Sequence, residues 1–199
     1  MESKLPKIFL ARHGQTEWSL SGRHTGRSDI ALTECGENDA RALGKRLAKL
    51  TFSEVWTSPL IRAKHSCELA GFESSYQIET DLMEWHYGDY EGLFAEEIQA
   101  KHPGWNVFKH GCPNGESPED ILARTSLLTE RLKLQSSNIL LFSHGHFLRS
   151  LAATWINEPL IFGNKLKLST SGLSILSFNH DNINEPALLS WNDVGHISL

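Results

Sequence analysis

The tripeptide Arg12-His13-Gly14 follows directly on a short apolar run, residues 8–11. An arginine offers a fork of donors to phosphate oxygens, and a glycine lets the backbone approach a ligand closely. A histidine is the side chain that is available as a neutral nucleophile near neutral pH. The tripeptide therefore indicates a site for an anionic substrate, although such a sequence also occurs by chance.

Two further apolar runs end in a similar way. Residues 138–143 lead into 144–146 (His-Gly-His), and residues 55–57 lead into a segment that carries Arg62. If these runs are strands of one open α/β sheet, their carboxyl ends lie at the edge where such sheets bind ligands. Three strand ends that each supply a positive or potentially positive group favour one shared anion site over unrelated surface residues.

The elements that must position these residues alternate between strand and helix. Helically spaced apolar residues follow Thr33 as N-cap, and Ser58 with Pro59 predicts the start of a helix that runs to about residue 70. A capping box at Ser117 predicts a helix to about residue 134, and another helix is expected over 146–155. This pattern is typical of a layered α/β domain with five or six mostly parallel strands.

Residues 81–117 interrupt the alternation. The segment is dense in aromatic and carboxylate side chains, with a short helix expected near 94–101 and an irregular stretch over 103–116. We expect one domain over residues 1–199, with this insert as its lid or specificity region.

Length and composition exclude several classes of protein. The 199 residues are 40% hydrophobic and 22% charged, as in an ordinary globular domain, and contain no apolar run long enough to span a membrane. The net charge of −5 and the absence of a basic run argue against nucleic acid or an anionic membrane as a partner. An anionic substrate must then be attracted by a local cluster of cations inside a cleft.

Cysteine usage and the start of the chain bear on the compartment. Three widely spaced cysteines, an odd number, are expected to be free thiols in a reducing compartment. The first apolar run begins at about residue 8, which leaves no room for a secretory signal. We therefore expect a cytoplasmic protein.

Taken together, the motifs resemble the histidine phosphatase superfamily, the phosphoglycerate-mutase-like group. The segments that carry the resemblance stand in the order of that family, at 10–18, 25–26, 57–63, 84–92 and 143–146. Residues 15–19, 84–92, 111–116, 144–149 and 182–188 resemble the sedoheptulose-1,7-bisphosphatase branch of that family. The resemblance implies a three-layer sandwich, with helices on both faces of a mostly parallel sheet of about six strands.

The resemblance also implies a mechanism through a phosphohistidine. His13 is then the nucleophile, and Arg12, Arg62 and His144 surround the phosphoryl group, whose oxygens carry the charge that develops during transfer. The alternative for Arg62 is a plain arginine on a helix surface.

Glu84 is the general acid that the resemblance implies. It would protonate the leaving oxygen and then take a proton from the attacking water. Glu79, Asp81 and Asp89 compete nearby, and Glu84 is preferred because it occupies the acid position of the family.

Further residues are expected to contact the substrate, namely Ser19, His24, Thr25, Gly26, Tyr87, Gly145 and Arg149. Arg149 lies about one helical turn from His144 and, by likeness to the bisphosphatase branch, is a candidate for binding a distal phosphate. A surface position for Arg149, and core packing for Tyr87, are the alternatives.

Ten histidines keep a metal site under consideration, above all the pair His144 and His146. A catalytic zinc or di-metal site needs three or more converging ligands, and the available carboxylates and histidines already have roles in the phosphoryl-transfer site. We expect no metal and no other cofactor.

The sequence thus favours a phosphomonoesterase that hydrolyses a small sugar phosphate or bisphosphate. A phosphoglycerate-type mutase is the alternative, but the insert offers only Lys101, His102, Lys109 and His110 to hold a second anion. A non-catalytic phosphate-binding relative is a second alternative, against which the complete set of reacting residues argues. The expected partner is a small phosphorylated metabolite, and the formation of a homo-oligomer is left open.

Overall fold

The computed structural model describes residues 5–197, and within them one sheet contains six strands. The strands are β1 (Ile8–Arg12), β2 (Glu54–Thr57), β3 (Tyr76–Ile78), β4 (Ile139–Ser143), β5 (Leu173–Phe178) and β6 (Pro186–Asp193). Their order in the sheet is β3-β2-β4-β1-β5-β6.

The sheet is parallel from β3 to β1 and antiparallel beyond it. β2 pairs in parallel with β3 and β4, and β4 pairs in parallel with β1, whereas β5 is antiparallel to both β1 and β6. Arg12 lies opposite Ser143, and Thr57 lies opposite Phe142, so β1, β2 and β4 end at the same edge.

Helices occupy both faces of this sheet. They are α1 (Glu17–Ser21), α2 (Glu34–Leu47), α3 (Ile61–Cys67), α4 (Ala95–Lys101), α5 (Val107–His110), α6 (Pro118–Lys133) and α7 (Gly145–Trp155). The predicted α/β sandwich with a mostly parallel sheet is confirmed. Across residues 5–197, no helix combines the length and the apolar character that crossing a membrane requires.

Alternation along the strands divides the core between the two faces, because successive side chains point to opposite sides of a sheet. Ile8 and Leu10 of β1 pack in a cluster with residues of α6 and α7, while Phe9 and Ala11 pack in a cluster with residues of α2 and α3. Both faces of β1 are therefore buried, and its end is held between two layers of helices.

The insert has a hydrophobic cluster of its own. Trp85, Tyr87, Ile98 and Phe108 are buried there together with Ile121 of α6. The predicted helix near 94–101 is α4, and the stretch expected to be irregular contains the four residues of α5.

Most predicted helix boundaries agree with the structure, but one start was wrong. Ser117 accepts a hydrogen bond from the Asp120 backbone and begins α6 through a capping box, as predicted. In contrast, α3 begins at Ile61, with Leu60 at the N-cap position and no side-chain cap. Ser58 lies two residues before that N-cap position, and its hydroxyl accepts from the Leu60 amide at 3.3 Å and contacts His144 at 2.8 Å.

Candidate active site

The strand ends bring the predicted phosphate-binding residues together. His13 follows β1, His144 follows β4 as the N-cap residue of α7, and Arg62 lies in the first turn of α3, which follows β2. The rings of His13 and His144 have centroids 5.2 Å apart. We call Arg12, His13, Arg62 and His144 the inner group.

The backbone fixes the orientation and tautomer of His13. Its Nδ1 lies 2.7 Å from the Gly14 carbonyl oxygen, which can only accept, so Nδ1 carries the proton and donates. The Gly14 amide in turn donates to Ser66 Oγ at 2.9 Å. Nε2 of His13 therefore keeps its lone pair, and no hydrogen bond from the described residues occupies it.

Burial keeps this imidazole neutral. His13 is only 4% exposed, and burial lowers its pKa well below 6.5, with the positive charges of Arg62 and Arg12 acting in the same direction. The hydrogen bond to Gly14 opposes that shift. A neutral ring with a free Nε2 is the form of histidine that can attack an electrophile.

Arg62 is wholly buried and held by carbonyl oxygens. Its Nη2 donates to the carbonyls of Thr25 and Gly26 at 3.1 and 2.8 Å, and its Nη1 donates to the carbonyl of Ser28 at 2.9 Å. Burial lowers the pKa of this guanidinium, and the nearby carboxylate of Glu84 opposes the shift. Arginine nevertheless remains charged in proteins, so the site keeps this cation.

Arg12 and His144 complete the inner group. Nη1 of Arg12 donates to the Leu168 carbonyl, and Nε2 of His144 contacts Ser58 Oγ. Burial lowers the pKa of His144 well below 6.5, and the charge of Arg62 adds to this effect. Among the described residues, Arg12 Nε, Arg62 Nε and His144 Nδ1 are buried without a hydrogen-bond partner. Thr129 Oγ1, Ser171 Oγ and His196 Nδ1 share this property, so half of these atoms belong to the inner group.

Glu84 lies beside this group and is 4% exposed. Its Oε1 accepts from the amides of Trp85 and Phe147, at 2.9 and 2.8 Å, and its Oε2 accepts from the amide of His146 at 3.0 Å. Two of these donors belong to the first turn of α7, where a negative group is favoured by the helix dipole. The carboxylate is therefore held in one place by backbone donors.

A second set of side chains lies on the outer side of the cavity, and we call His24, Tyr87, His146 and Arg149 the outer wall. Tyr87 Oη lies 2.5 Å from His146 Nδ1, and the rings of His24 and His146 stack at 6.2 Å. Burial lowers the pKa of both histidines, well below 6.5 for His146, so the histidines of this wall are also neutral.

Two nitrogens of Arg149 donate hydrogen bonds within the protein. Its Nε donates to the Gly163 carbonyl at 2.9 Å, its Nη2 donates to the Asn164 carbonyl at 3.2 Å, and its guanidinium lies 4.8 Å from the centre of the Phe108 ring. Nη1 is the nitrogen that remains for a ligand among the described contacts.

The cavity between the inner group and the outer wall has a volume of about 170 Å³. It is lined by Arg12, His13, Ser19, Gly22, Arg23, His24, Thr25, Glu84, Tyr87, Gly145, His146, Arg149 and Leu168. Of the residues predicted from sequence, Arg62, His144 and Gly26 are not among those that line it.

The remaining predicted contacts act partly through the backbone. Ser19 uses its hydroxyl to accept from the Thr16 amide, at 2.8 Å, in a capping box that starts α1. A Cβ on Gly26 would approach the Trp85 carbonyl oxygen to 2.7 Å, which shows why this position needs glycine. A Cβ on Gly145 would lie 3.3 Å from Arg12 Cζ, so glycine leaves that arginine its space. The role of each as a substrate contact stays a prediction.

Sequence reasoning missed several residues that shape this site. His146 was considered only as half of a metal pair, whereas it bonds to Tyr87, a residue 59 positions away. Arg23 also lines the cavity and was not singled out. Within residues 5–197, no group of three or more His, Cys, Asp or Glu side chains is arranged to hold a metal ion.

Comparisons with known proteins cover most of the chain. The profile of the histidine phosphatase superfamily (branch 1) matches residues 8–194. An acid phosphatase of Mycobacterium tuberculosis is 38% identical over 178 residues, which cover 87% of this chain and 87% of that protein. A sedoheptulose 1,7-bisphosphatase of Saccharomyces cerevisiae is 31% identical over 252 aligned positions, which cover 94% of this chain and 93% of that protein.

Phosphoglycerate mutases are also among the similar proteins. The solved structure of an open reading frame product from Mycobacterium tuberculosis matches with a TM-score of 0.87 at 34% identity, covering 94% of this chain and 97% of that chain.

Proposed function

The chain belongs to the histidine phosphatase superfamily, and from that premise we propose that it hydrolyses the phosphomonoester of a small sugar phosphate or bisphosphate through a phosphohistidine on His13. The observation that carries the proposal is the state of His13. Its Nδ1 proton is donated to the Gly14 carbonyl, its ring is kept neutral by burial and by two arginines, and no hydrogen bond within residues 5–197 occupies its Nε2.

In the first step, Nε2 of His13 attacks phosphorus and the bond from phosphorus to the ester oxygen breaks. The leaving oxygen takes a proton from the carboxyl group of Glu84, so the product is a neutral alcohol. Arg12, Arg62 and His144 stabilise the oxygens of the transferring group. Arg12 lines the cavity and can donate to these oxygens directly, while Arg62 and His144 lie behind the lining.

In the second step, a water molecule attacks the phosphohistidine. Glu84 now takes a proton from that water, the bond between phosphorus and nitrogen breaks, and inorganic phosphate leaves. His13 returns to its neutral form and Glu84 to its protonated form, which closes the cycle. The backbone donors that hold Glu84 keep one carboxyl group in place for both steps.

Hydrolysis is favoured over transfer to a second substrate hydroxyl. The two lysines of the insert, Lys101 and Lys109, are exposed, as are His102 and His110, and none of the four is among the residues that line the cavity. A mutase for phosphoglycerates needs further cations for a carboxylate and a second phosphate, and the insert does not supply them. The outer wall offers Arg149 as the candidate for a distal phosphate.

Location and partners belong to the same proposal. Cys35, Cys67 and Cys112 are free thiols, which supports a reducing, cytoplasmic compartment. A net charge of −5 favours a small phosphorylated metabolite over nucleic acid or a membrane as the partner. The insert over 81–117 would act as the specificity region of a single domain.

The experiment that tests this function is an assay of phosphate release against a panel of sugar monophosphates and bisphosphates. Release of phosphate from one or more of them supports hydrolysis, whereas isomerisation without release would assign a mutase. No reaction with any of them, in a protein that binds phosphate, would assign a non-catalytic relative. Addition of EDTA is expected to leave the rate unchanged.

A further inference from the structure

An ion pair that is largely shielded from solvent lies outside the reacting groups. Arg124 of α6 binds the Glu116 carboxylate with both prongs of its fork, Nε to Oε1 at 3.1 Å and Nη2 to Oε2 at 2.9 Å. The two side chains are only 12% and 17% exposed. A pair this deep loses much of its Coulombic gain to desolvation, so stability alone is a weak reason for it.

The pair holds the backbone that precedes Glu84. The remaining nitrogen of Arg124, Nη1, donates to the carbonyl of Asp81 at 2.8 Å and to the carbonyl of Met83 at 2.6 Å. All three nitrogens of the guanidinium are thus engaged, two with Glu116 and one with the turn before Glu84.

The pair also holds the backbone that follows Glu84. Oε2 of Glu116 accepts from the His86 amide at 2.7 Å, and the Glu116 carbonyl accepts from Trp85 Nε1 at 2.9 Å. The loop is therefore held on both sides of Glu84, by Arg124 before it and by Glu116 after it.

Arg124 also contacts a residue that donates a hydrogen bond to the Glu84 carboxylate. The guanidinium of Arg124 lies 4.4 Å from the centre of the Phe147 ring, and the Phe147 amide donates to Glu84 Oε1. One side chain thus contacts both the loop that carries Glu84 and the helix residue that supplies one of its hydrogen-bond donors.

We propose that the Arg124–Glu116 pair is a positioning device that sets the location of the Glu84 carboxyl relative to the ester oxygen. The proposal rests on the proposed role of Glu84 as proton donor. Proton transfer needs the donor within hydrogen-bond reach of the leaving oxygen, and a displacement of about 1 Å costs on the order of 10²-fold in rate. The pair itself touches neither phosphate nor the inner group.

The test compares two substrates in the variant Arg124→Lys. A lysine keeps the charge but cannot bind Glu116 and two carbonyls with one planar fork. For an alkyl phosphate, whose leaving oxygen needs a proton, kcat should fall by about 10- to 100-fold. For p-nitrophenyl phosphate, whose leaving group is stable as an anion, kcat should fall by less than ~3-fold, and KM should change little for either substrate.

A matched control and a second variant separate positioning from general damage. Arg46 of α2 binds both carboxylate oxygens of Asp193 on β6, outside the loop that carries Glu84, so Arg46→Lys should leave both rates nearly unchanged. Glu116→Gln, which keeps the size of the side chain but not its charge, should reproduce the selective loss in a milder form. Thermal melting of each variant shows whether it is folded at the assay temperature.

Non-additivity is the decisive readout. If Arg124 acts through Glu84, the double variant Arg124→Lys/Glu84→Gln should turn over the alkyl phosphate no more slowly than Glu84→Gln alone. Equal losses on both substrates, an unchanged alkyl rate, or additive losses in the double variant would each overturn the proposal.

The same measurements keep this proposal distinct from the proposed function. If Glu84→Gln slows alkyl phosphates selectively and Arg124→Lys does not, positioning by the pair is wrong and the mechanism stands. If Glu84→Gln shows no selectivity, the acid role itself is wrong, and the positioning proposal falls with it.

Discussion

The inner group and the outer wall of the cavity are built in different ways. The inner group comes from the ends of β1 and β4, in the parallel part of the sheet, and from the helix that follows β2, where Arg62 is tied by three backbone carbonyls. The outer wall depends on the insert and on side chains that contact one another, such as Tyr87 with His146. The first is therefore fixed mainly by backbone geometry, whereas the second is fixed mainly by contacts between side chains.

The largest effect is expected when the proposed nucleophile is removed from the inner group. The variant His13→Ala should reduce turnover by at least ~10⁴-fold, because no other group replaces an attacking side chain. Protein quenched in alkaline denaturant, in which a phosphohistidine is stable, should carry a labelled phosphoryl group in the wild type and none in the variant. His110→Ala, at an exposed position of the insert, serves as control. Undiminished turnover in His13→Ala would remove the mechanism.

The next largest effect is expected at Glu84. Glu84→Gln should slow alkyl phosphates by ~10²–10⁴-fold, the usual range for a lost general acid, and aryl phosphates far less. The comparison of kcat for the two classes of substrate measures this. Equal damage to both would transfer the role of acid to another residue.

Arg149 tests whether the outer wall reads a second phosphate. Arg149→Ala should raise KM for a sugar bisphosphate by ~10-fold, the value of about one charge-assisted hydrogen bond, and should change KM for the matching monophosphate much less. The ratio of the two KM values cancels any loss of packing against Phe108. An unchanged ratio would retire the distal phosphate site.

The smallest expected effect is on stability, and it comes from the neutral, buried histidines that both regions contain. Burial lowers the pKa of His13, His144 and His146 below 6.5, so between the folded pKa and 6.5 the unfolded chain binds more protons. The free energy of unfolding should therefore decrease as the pH falls below 6.5, by up to about 1.4 kcal/mol per pH unit for each histidine. Urea unfolding at several pH values measures this slope.

A variant shows whether His146 contributes to this pH dependence of the free energy of unfolding. His146→Asn should make the decrease shallower, because one buried histidine no longer has to take up a proton on unfolding. The same slope in wild type and variant would mean that His146 takes up no extra proton when the chain unfolds.

The parallel half of the fold was accessible from the sequence because its strands are apolar runs that end in polar residues. Strand β3 was not singled out, since its residues Gln77 and Ile78 are exposed and supply no apolar run. The start of α3 was wrong because Ser58 and Pro59 look like a helix start, while the hydroxyl of Ser58 is used by His144 across 86 residues of chain.

Some residues of the site could be predicted from local sequence patterns, and others could not. His13 and its neighbours follow strand ends, which local patterns reveal. The bond between Tyr87 and His146, and the contacts of Arg124 with the carbonyls of Asp81 and Met83, join residues far apart in sequence. No local pattern marks such contacts, because they arise only when the insert packs against α6 and α7.

The location of β1 inside the sheet has a consequence for which parts of the site can move. The strand has hydrogen-bonded neighbours on both sides, β4 and β5, and the amide of His13 itself donates to the Ser143 carbonyl. Amides in such a strand exchange with solvent only when most of the domain opens. We therefore expect the backbone at His13 to stay in place, so that any movement that admits a substrate to the cavity comes from the chain segments that surround it.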